Sequence, residues 1–466
     1  MSQTIPFRSF NSKILRYVDF IAAIVAVCIV GRLAWQEDLS WFPAVVACVF
    51  AVFLTTWRWP YGILTLLIGA SAMPAFSVDV FGWNARPEHF AVVFAAFAVA
   101  LWVVVGKKRL SLTRLDYFIL FFLAANFISS SLGSSDPAST LRWALQNCLA
   151  VVFYFLIRAL VQDAPVLGRA VQLFLAIAVI ESVYGVFCYL SHQAFGTSFG
   201  VSVGQYMGDV AAPFGTMFEP NLFGAYTASA SVMFFSLYLF AGHRVRDLAG
   251  FFITAIASFF SFSRASLIAL LVAGAYLFWK SHRQSEGNSS RNWLTAGLVA
   301  ALILLLSLGP LGRIVSERFM NLFYQGLTEE TTISRVIIMQ EALQDVSGHL
   351  LIGRGTASFN LTFDWARYVP SWAGEKTWIG NAPLRILHDT GLLGLGSIIG
   401  FFVTAWVKIR HAVKVPSRKN GLLIALWAGV LIYAISFEST DGTILAFTWV
   451  QLGLLASAAT LAPVLS

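Results

Sequence analysis

Charge is what this chain lacks most. Asp, Glu, Lys and Arg make up 12% of its 466 residues, about half the share of a soluble domain. Hydrophobic residues reach 58%, with 41 Phe among them, and the mean hydropathy is +0.75. A water-soluble fold is thereby excluded. Cysteine is equally sparse. Its four copies, Cys28, Cys48, Cys148 and Cys188, stand in apolar runs without CxxC or Cys/His ligand spacing, which leaves no disulfide framework and no zinc site, only core packing. The chain has no GxxxxGK followed by Ser or Thr, and no DxD on the loops assigned below to the outside. Neither ATP nor a metal-held sugar nucleotide is therefore the indicated substrate.

What fills the chain is a succession of apolar runs, each near the roughly 20 residues that cross a bilayer. They cover 17–35, 41–57, 60–77, 89–106, 115–132, 143–161, 169–191, 217–241, 247–262, 264–280, 292–309, 384–407, 420–436 and 443–463. The pattern predicts an all-α polytopic membrane protein of 12–14 transmembrane helices, a single membrane domain over residues 1–466. The stretch from Asp247 to Lys280 is too long for one crossing and short for two. It predicts two short or tilted helices meeting near SFSR at 261–264.

Basic residues in short loops favour the cytoplasm, and two passes in that stretch put 20 of the 31 Lys and Arg there, with both termini. A single pass would export the basic loops KSHRQSEGNSSR (280–291) and KIRHAVKVPSRK (408–419). The net charge of +8 then reports topology and contact with anionic membrane lipid, with no nucleic acid implied. The first run follows Arg8, Lys13 and Arg16 without a small-residue cleavage site and reads as an uncleaved anchor.

Only two extracytoplasmic segments are long enough to hold a site, 192–216 and 310–383. The first leads into GTMFEPNLFGAY, with Glu219, Pro220 and Asn221 at the mouth of a span. EPN reads either as a plain helix start, Pro in the first turn and Glu favoured by the dipole, or as a carboxylate kept at the membrane for chemistry. Some forty residues on, SFSR places Arg264 between two hydrophobic helices. There a guanidinium either forks onto phosphate oxygens or snorkels to the interface.

In the second segment Val336, Met339, Leu343 and Val346 recur at helical spacing after Thr332 and Ser334, which predicts a capped amphipathic helix lying on the membrane. Arg335 sits in its first turn, where a cation opposes the helix dipole; an anionic partner explains it better than helix stability does. GRG (353–355) is a turn able to bring backbone N–H groups and Arg354 to a ligand. Trp365, Tyr368, Trp372 and Trp378 suit either sugar rings or an interfacial aromatic belt. In WIGNAPLRILHDTGLLGLG, Asn381, Arg385 and His388 share one helix face. Arg385 is also placed to pair with Asp389 one turn on, and His388 to serve as a structural hydrogen-bonding group.

Taken in order, FGTMFEPNLFGAY, SFSR ahead of a hydrophobic helix, SRVIIMQEAL, IGRG and GNAPLRILHDTGLLGL resemble the bacterial O-antigen ligase and O-antigen (exopolysaccharide) polymerase superfamily, over residues 170–410 with loop 310–383 inside. The resemblance implies a C-class glycosyltransferase-like fold in the bacterial inner membrane. It implies a metal-independent, inverting enzyme without cofactor, which polymerises or ligates an undecaprenyl-pyrophosphate-linked oligosaccharide at the outer face. Other polysaccharide-assembly proteins are its expected partners. Arg264 and Arg335 would stabilise the departing pyrophosphate, with Arg354, Asn221, Asn381 and Arg385 binding pyrophosphate or glycan. The acceptor base would be His388 or Glu219, with Asp389 as a third choice. Two family features are missing: the Arg that usually precedes the position of Asn221 falls near Ala212, and the His of a His-Asn pair falls on Gly380.

A transporter is the competing class, because Glu181, Glu219 and Arg264 at membrane depth also suit a substrate pathway. One asymmetric loop carrying most of the polar groups, without matched broken helices in two halves, favours the enzyme.

Overall fold

In the computed structural model the described residues are 59–80, 83–106, 111–203, 211–284, 330–369, 374–375, 377–414 and 420–465, with isolated positions between 312 and 324. They are almost wholly helical. The helices are α1 (Tyr61–Ser71), α2 (Pro87–Gly106), α3 (Arg114–Leu132), α4 (Pro137–Leu160), α5 (Ala164–Phe195), α6 (Pro220–Ala241), α7 (Val245–Phe260), α8 (Arg264–Gln284), α9 (Glu330–Val346), α10 (Ala382–Lys414), α11 (Gly421–Ser436) and α12 (Ala446–Leu465). Two antiparallel hairpins, Val78–Val80 with Trp83–Ala85 and Val201–Ser202 with Ala212–Pro213, are the strands among the described residues.

Seven of these helices are long and apolar enough to cross a membrane, and α1, α11 and α12 add shorter apolar ones. Eleven of the fourteen expected spans fall on described helices. Those at 17–35, 41–57 and 292–309 lie outside the described residues, as do Cys28 and Cys48. The protein is a multi-pass all-α membrane protein.

Local sequence sets the helix ends. Asp136 and Asp163 accept from the N–H of Ser139 and Val166, with proline in the first turn, and Thr113 with Asp116 forms a capping box. Each cap satisfies donors that would otherwise be orphaned. Small residues then set the packing, as expected where lipid supplies no hydrophobic drive between helices. Helix α6 is the central post, buried along nearly its whole length and packed by α7, α8 and α11. Within it Ser229 donates to the Gly429 carbonyl at 2.9 Å and receives the Gln451 amide at 2.8 Å.

The break expected near 261–264 is present. Helix α7 ends at Phe260 and α8 begins at Arg264, with Phe262 in the left-handed region at φ 54° and almost fully buried. The break rests on α6: Ser258 donates to the Gly224 carbonyl at 3.2 Å, and a Cβ on Gly224 would lie 2.4 Å from Ser261 Oγ. The small-residue turn of SFSR thus packs directly under the helix that begins with EPN.

Helix α10 holds a second break. Gly391 stands at φ 64°, ψ −166° inside it, and the chain 350–357 wraps this point. Leu392 and Leu393 donate to the carbonyls of Leu350 and Leu351, while Arg354 and Gly355 donate to those of His388 and Asp389.

Candidate active site

The loop-bearing end of the bundle is organised around the Gly391 break. Gly355 N–H also meets Ser129 Oγ at 2.8 Å, and Ser129 donates to the Asp389 carbonyl at 2.5 Å. Thr356 is bound to Ser130 and Asn126. No Cβ fits at Gly353, where it would stand 2.6 Å from the Gly391 nitrogen. The N–H groups of Arg354 and Gly355 therefore point at α10 and α3, and that of Gly353 at the His349 carbonyl, rather than at a ligand, and this corrects the expectation from sequence.

Around this knot runs a chain of ion pairs. Asp345, near the end of α9, receives Arg354 Nε at 3.1 Å and lies 2.9 Å from His388 Nε2. His388 Nδ1 lies 3.1 Å from Asp389. Asp389 in turn holds Arg385 Nε at 3.2 Å, and Arg385 also binds Asp441 in the turn between α11 and α12. The hydrogen bond from His388, helped by Arg354, holds the Asp345 carboxyl below the usual carboxylate range even though burial pushes the other way. Of the three residues expected to converge on one face, Arg385 and His388 are buried in this network, His388 at 0% exposure. Asn381 caps α10 through Leu384 N–H and donates to Glu438. Both nitrogens of His388 face carboxylates, so neither is open to an acceptor hydroxyl. The role of base expected for it does not suit that geometry.

Glu219 is placed differently. It is the N-cap residue of α6, yet its side chain makes no capping bond. Its carboxylate accepts from Thr440 Oγ1, 221 residues away, and lies in the field of Arg335. Burial raises its pKa, against the pull of Thr440 and Arg335. A helix start alone would not require this, since the dipole is served by a carboxylate turned to the first N–H groups. EPN thus does begin a helix, with its acid turned to Thr440 rather than to the first N–H groups. Asn221 follows in the first turn, half-buried. Arg264, also half-buried, opens α8 behind Ser263, whose hydroxyl meets Ser266 at 3.0 Å.

Helix α9 is present but begins at Glu330, so Thr332 and Ser334, expected to cap its start, lie within it, and Arg335, expected in the first turn, stands in the second; its apolar residues, moreover, point two ways. Ile338, Ala342 and Val346 are buried, Ile338 and Ala342 against Phe359, Trp365 and Ile379 in a small core of the outer loop. Met339 and Leu343, expected on the same face as Val346, are exposed instead. The aromatic stretch is likewise divided. Trp365 belongs to that core, Tyr368 donates to Glu341, Trp378 meets Trp143 edge-on at 5.1 Å, and Trp372 lies outside the described residues.

Two groups of site residues escaped the sequence reading. The turn FESTDGT (437–443) supplies Glu438, Thr440 and Asp441, which anchor Asn381, Glu219 and Arg385. Two carboxylates and a hydroxyl in a short turn between two apolar runs were the available signal. The other group is Arg86, Trp143 and Asn147, which meet Trp378, Thr356 and Arg385 around a small cavity. Glu181, read as a membrane-depth charge fit for transport, clamps the loop before EPN by accepting Thr216 N–H and hydroxyl, each at 2.7 Å.

The polar groups of this polytopic helical bundle thus gather beneath the long segment that carries α9 and the GRG turn. Residues 249–399 match the model of the O-antigen ligase family, a segment that contains Arg264, Arg335, Arg354, Asn381, Arg385 and His388. This match supports the resemblance to the O-antigen ligase and polymerase superfamily and, at family level, a ligase- or polymerase-type enzyme. A search of curated proteins found no match.

Proposed function

We propose that this protein is a metal-independent, inverting glycosyltransferase of the bacterial inner membrane that polymerises, or alternatively ligates, an undecaprenyl-pyrophosphate-linked oligosaccharide at the outer face. The observation that carries the reading is that the buried Glu219 at the head of α6 accepts from Thr440 of the α11–α12 turn and lies in the electrostatic field of Arg335 on α9. A carboxylate beside a cation at the membrane surface suits glycosyl transfer from a pyrophosphate.

In the proposed step the acceptor hydroxyl oxygen bonds to the anomeric carbon as the bond from that carbon to the pyrophosphate oxygen breaks. The electron pair leaves on the pyrophosphate, where Arg335 and Arg264 stabilise the growing negative charge. The hydroxyl proton passes to Glu219, whose raised pKa brings it closer to the value a base needs near neutral pH. His388, Arg385, Asp389 and Arg354 act as positioning residues that hold α9, and with it Arg335, over α6. Other polysaccharide-assembly proteins fit as partners.

The test is transfer by the purified protein from a lipid-pyrophosphate oligosaccharide to a glycan acceptor, in EDTA and without nucleotide. Long products support polymerase action. Transfer only to a lipid A core supports the ligase reading, and strict dependence on a divalent metal or ATP would overturn the proposal.

A further inference from the structure

Arg86, at the mouth of α2, is 4% exposed and Asn147, on α4, is 7% exposed. Both line a cavity of about 20 Å³ together with Trp143, Gln146, Thr356, Trp378, Arg385 and Ile444. Arg86 places Nη1 3.0 Å from Glu88 and Nη2 3.5 Å from His89 Nε2, while its Nε has no partner within the protein. Asn147 gives its amide N–H to Asn126 at 3.0 Å, and its Oδ1 is likewise without a partner. One buried donor and one buried acceptor, on two residues that line the cavity, thus have no partner within the protein. Buried polar atoms are nearly always satisfied, and these two are not.

A cavity of this size admits about one water or one hydroxyl. A phosphate oxygen could accept from Arg86 but has no proton to give Asn147, whereas a sugar hydroxyl does both. The rim is aromatic: Trp378 is 39% exposed, stands edge-on to Trp143 at 5.1 Å and lies 6.0 Å from the Arg385 guanidinium. The Arg86 guanidinium stacks on Phe218 at 5.2 Å, next in sequence to Glu219.

We propose that this cavity is a glycan subsite, in which one sugar hydroxyl enters between Arg86 Nε and Asn147 Oδ1 while the ring lies across Trp378. Resting on the glycosyltransferase reading above, it assigns the acceptor sugar to Arg86, Asn147 and Trp378, and the donor pyrophosphate to Arg335 and Arg264.

The full chain in lipid nanodiscs is titrated with repeat-unit oligosaccharides released by mild acid from the host's own surface glycan and therefore free of pyrophosphate. The wild-type protein is expected to bind them. Asn147→Ala and Trp378→Ala should each weaken binding about tenfold or more, as expected where a site hydrogen-bonds a substrate hydroxyl. Trp378→Tyr should restore much of the affinity, and Gly396→Ala, whose added methyl meets nothing within 4 Å, should bind like wild type. Trp378 lies at the rim, so its variants test the idea even if Asn147→Ala fails to fold. Equal binding by wild type and Trp378→Ala would overturn the subsite. So would no binding by a wild-type protein that still transfers glycan, which would leave the cavity to a water. Absence of transfer by the wild type counts against the proposed function, not against the subsite.

Discussion

Asp345 and His388 meet at 2.9 Å across 43 residues of sequence, joining the end of the loop helix α9 to the first half of the broken helix α10. Arg354 reaches the other oxygen of Asp345, and Asp389 the other nitrogen of His388. Removing one partner of a buried pair leaves the other uncompensated. Asp345→Asn and His388→Ala should each loosen the loop by about 1–3 kcal/mol, a figure reduced because Asp345 is partly exposed. Faster amide exchange over 330–357 in both variants, with the double mutant no worse than the worse single, is the expected result. Additive effects would show that the pair does not act as a unit.

The same pair sets a pH dependence. Asp345 has a folded-state pKa depressed below its ordinary value, so its contribution is complete above the unfolded carboxylate pKa, about 3.9. It is lost as pH falls through the lower folded value. On the acid side, the protease resistance of the loop around α9 should therefore hold down to about pH 5 and fall below about pH 4. In Asp345→Asn this low-pH step should vanish.

Gly391 and Gly353 interlock, and neither tolerates a side chain. A Cβ on Gly391 would stand 2.3 Å from the Leu351 carbonyl oxygen, at a φ of 64° that L residues rarely adopt. Gly391→Ala should cost about 2–4 kcal/mol through strain and overpacking, read as a lower unfolding midpoint in detergent. Gly396→Ala, on the same helix with nothing within 4 Å, is the control and should leave the midpoint unchanged or slightly higher.

These contacts show what the sequence could and could not announce. Apolar runs and basic loops placed eleven helices because span length and charge bias are local properties. The SFSR break was legible from a stretch too long for one crossing. So was the pairing of Arg385 with Asp389 one turn on, whereas Thr440 beside Glu219 and Asp441 beside Arg385 were not, because both lie far off in sequence and only packing brings them near. The same holds for His388. Its place on a helix face beside Asn381 and Arg385 was readable, but the approach of Asp345 from another helix, which fills its second nitrogen, was not. Met339 and Leu343 show the limit of periodicity, since α9 carries apolar residues on two faces and only the tertiary fold selects the buried one.

The cation pole is tested at Arg335 and Arg264. Both Arg→Ala changes should lower transfer by about a hundredfold to a thousandfold, the scale of losing one preorganised donor at a developing anion. Lys should recover little, because the planar fork is lost. Membrane expression and oligosaccharide binding serve as controls for folding. Full transfer by either Ala variant would remove that arginine from the pyrophosphate site.

Glu219 is the sharpest test, because helix start and catalytic base predict different outcomes for the same substitution. The side chain makes no capping bond, so Glu219→Gln, nearly the same in shape, should leave the unfolding midpoint almost unchanged. As a base it should nonetheless lose turnover by about a hundredfold to ten-thousandfold. The pH profile adds a sign. Burial raises the Glu219 pKa while the Thr440 hydrogen bond lowers it, so the acid limb of turnover should lie above the ordinary glutamate value, and Thr440→Val should move it further up. A structural role for Thr440 would instead lower the yield of folded protein without shifting that limb. If Glu219→Gln keeps its turnover while His388→Ala loses it at unchanged loop protection, the base is His388 and the buried network must open during the reaction.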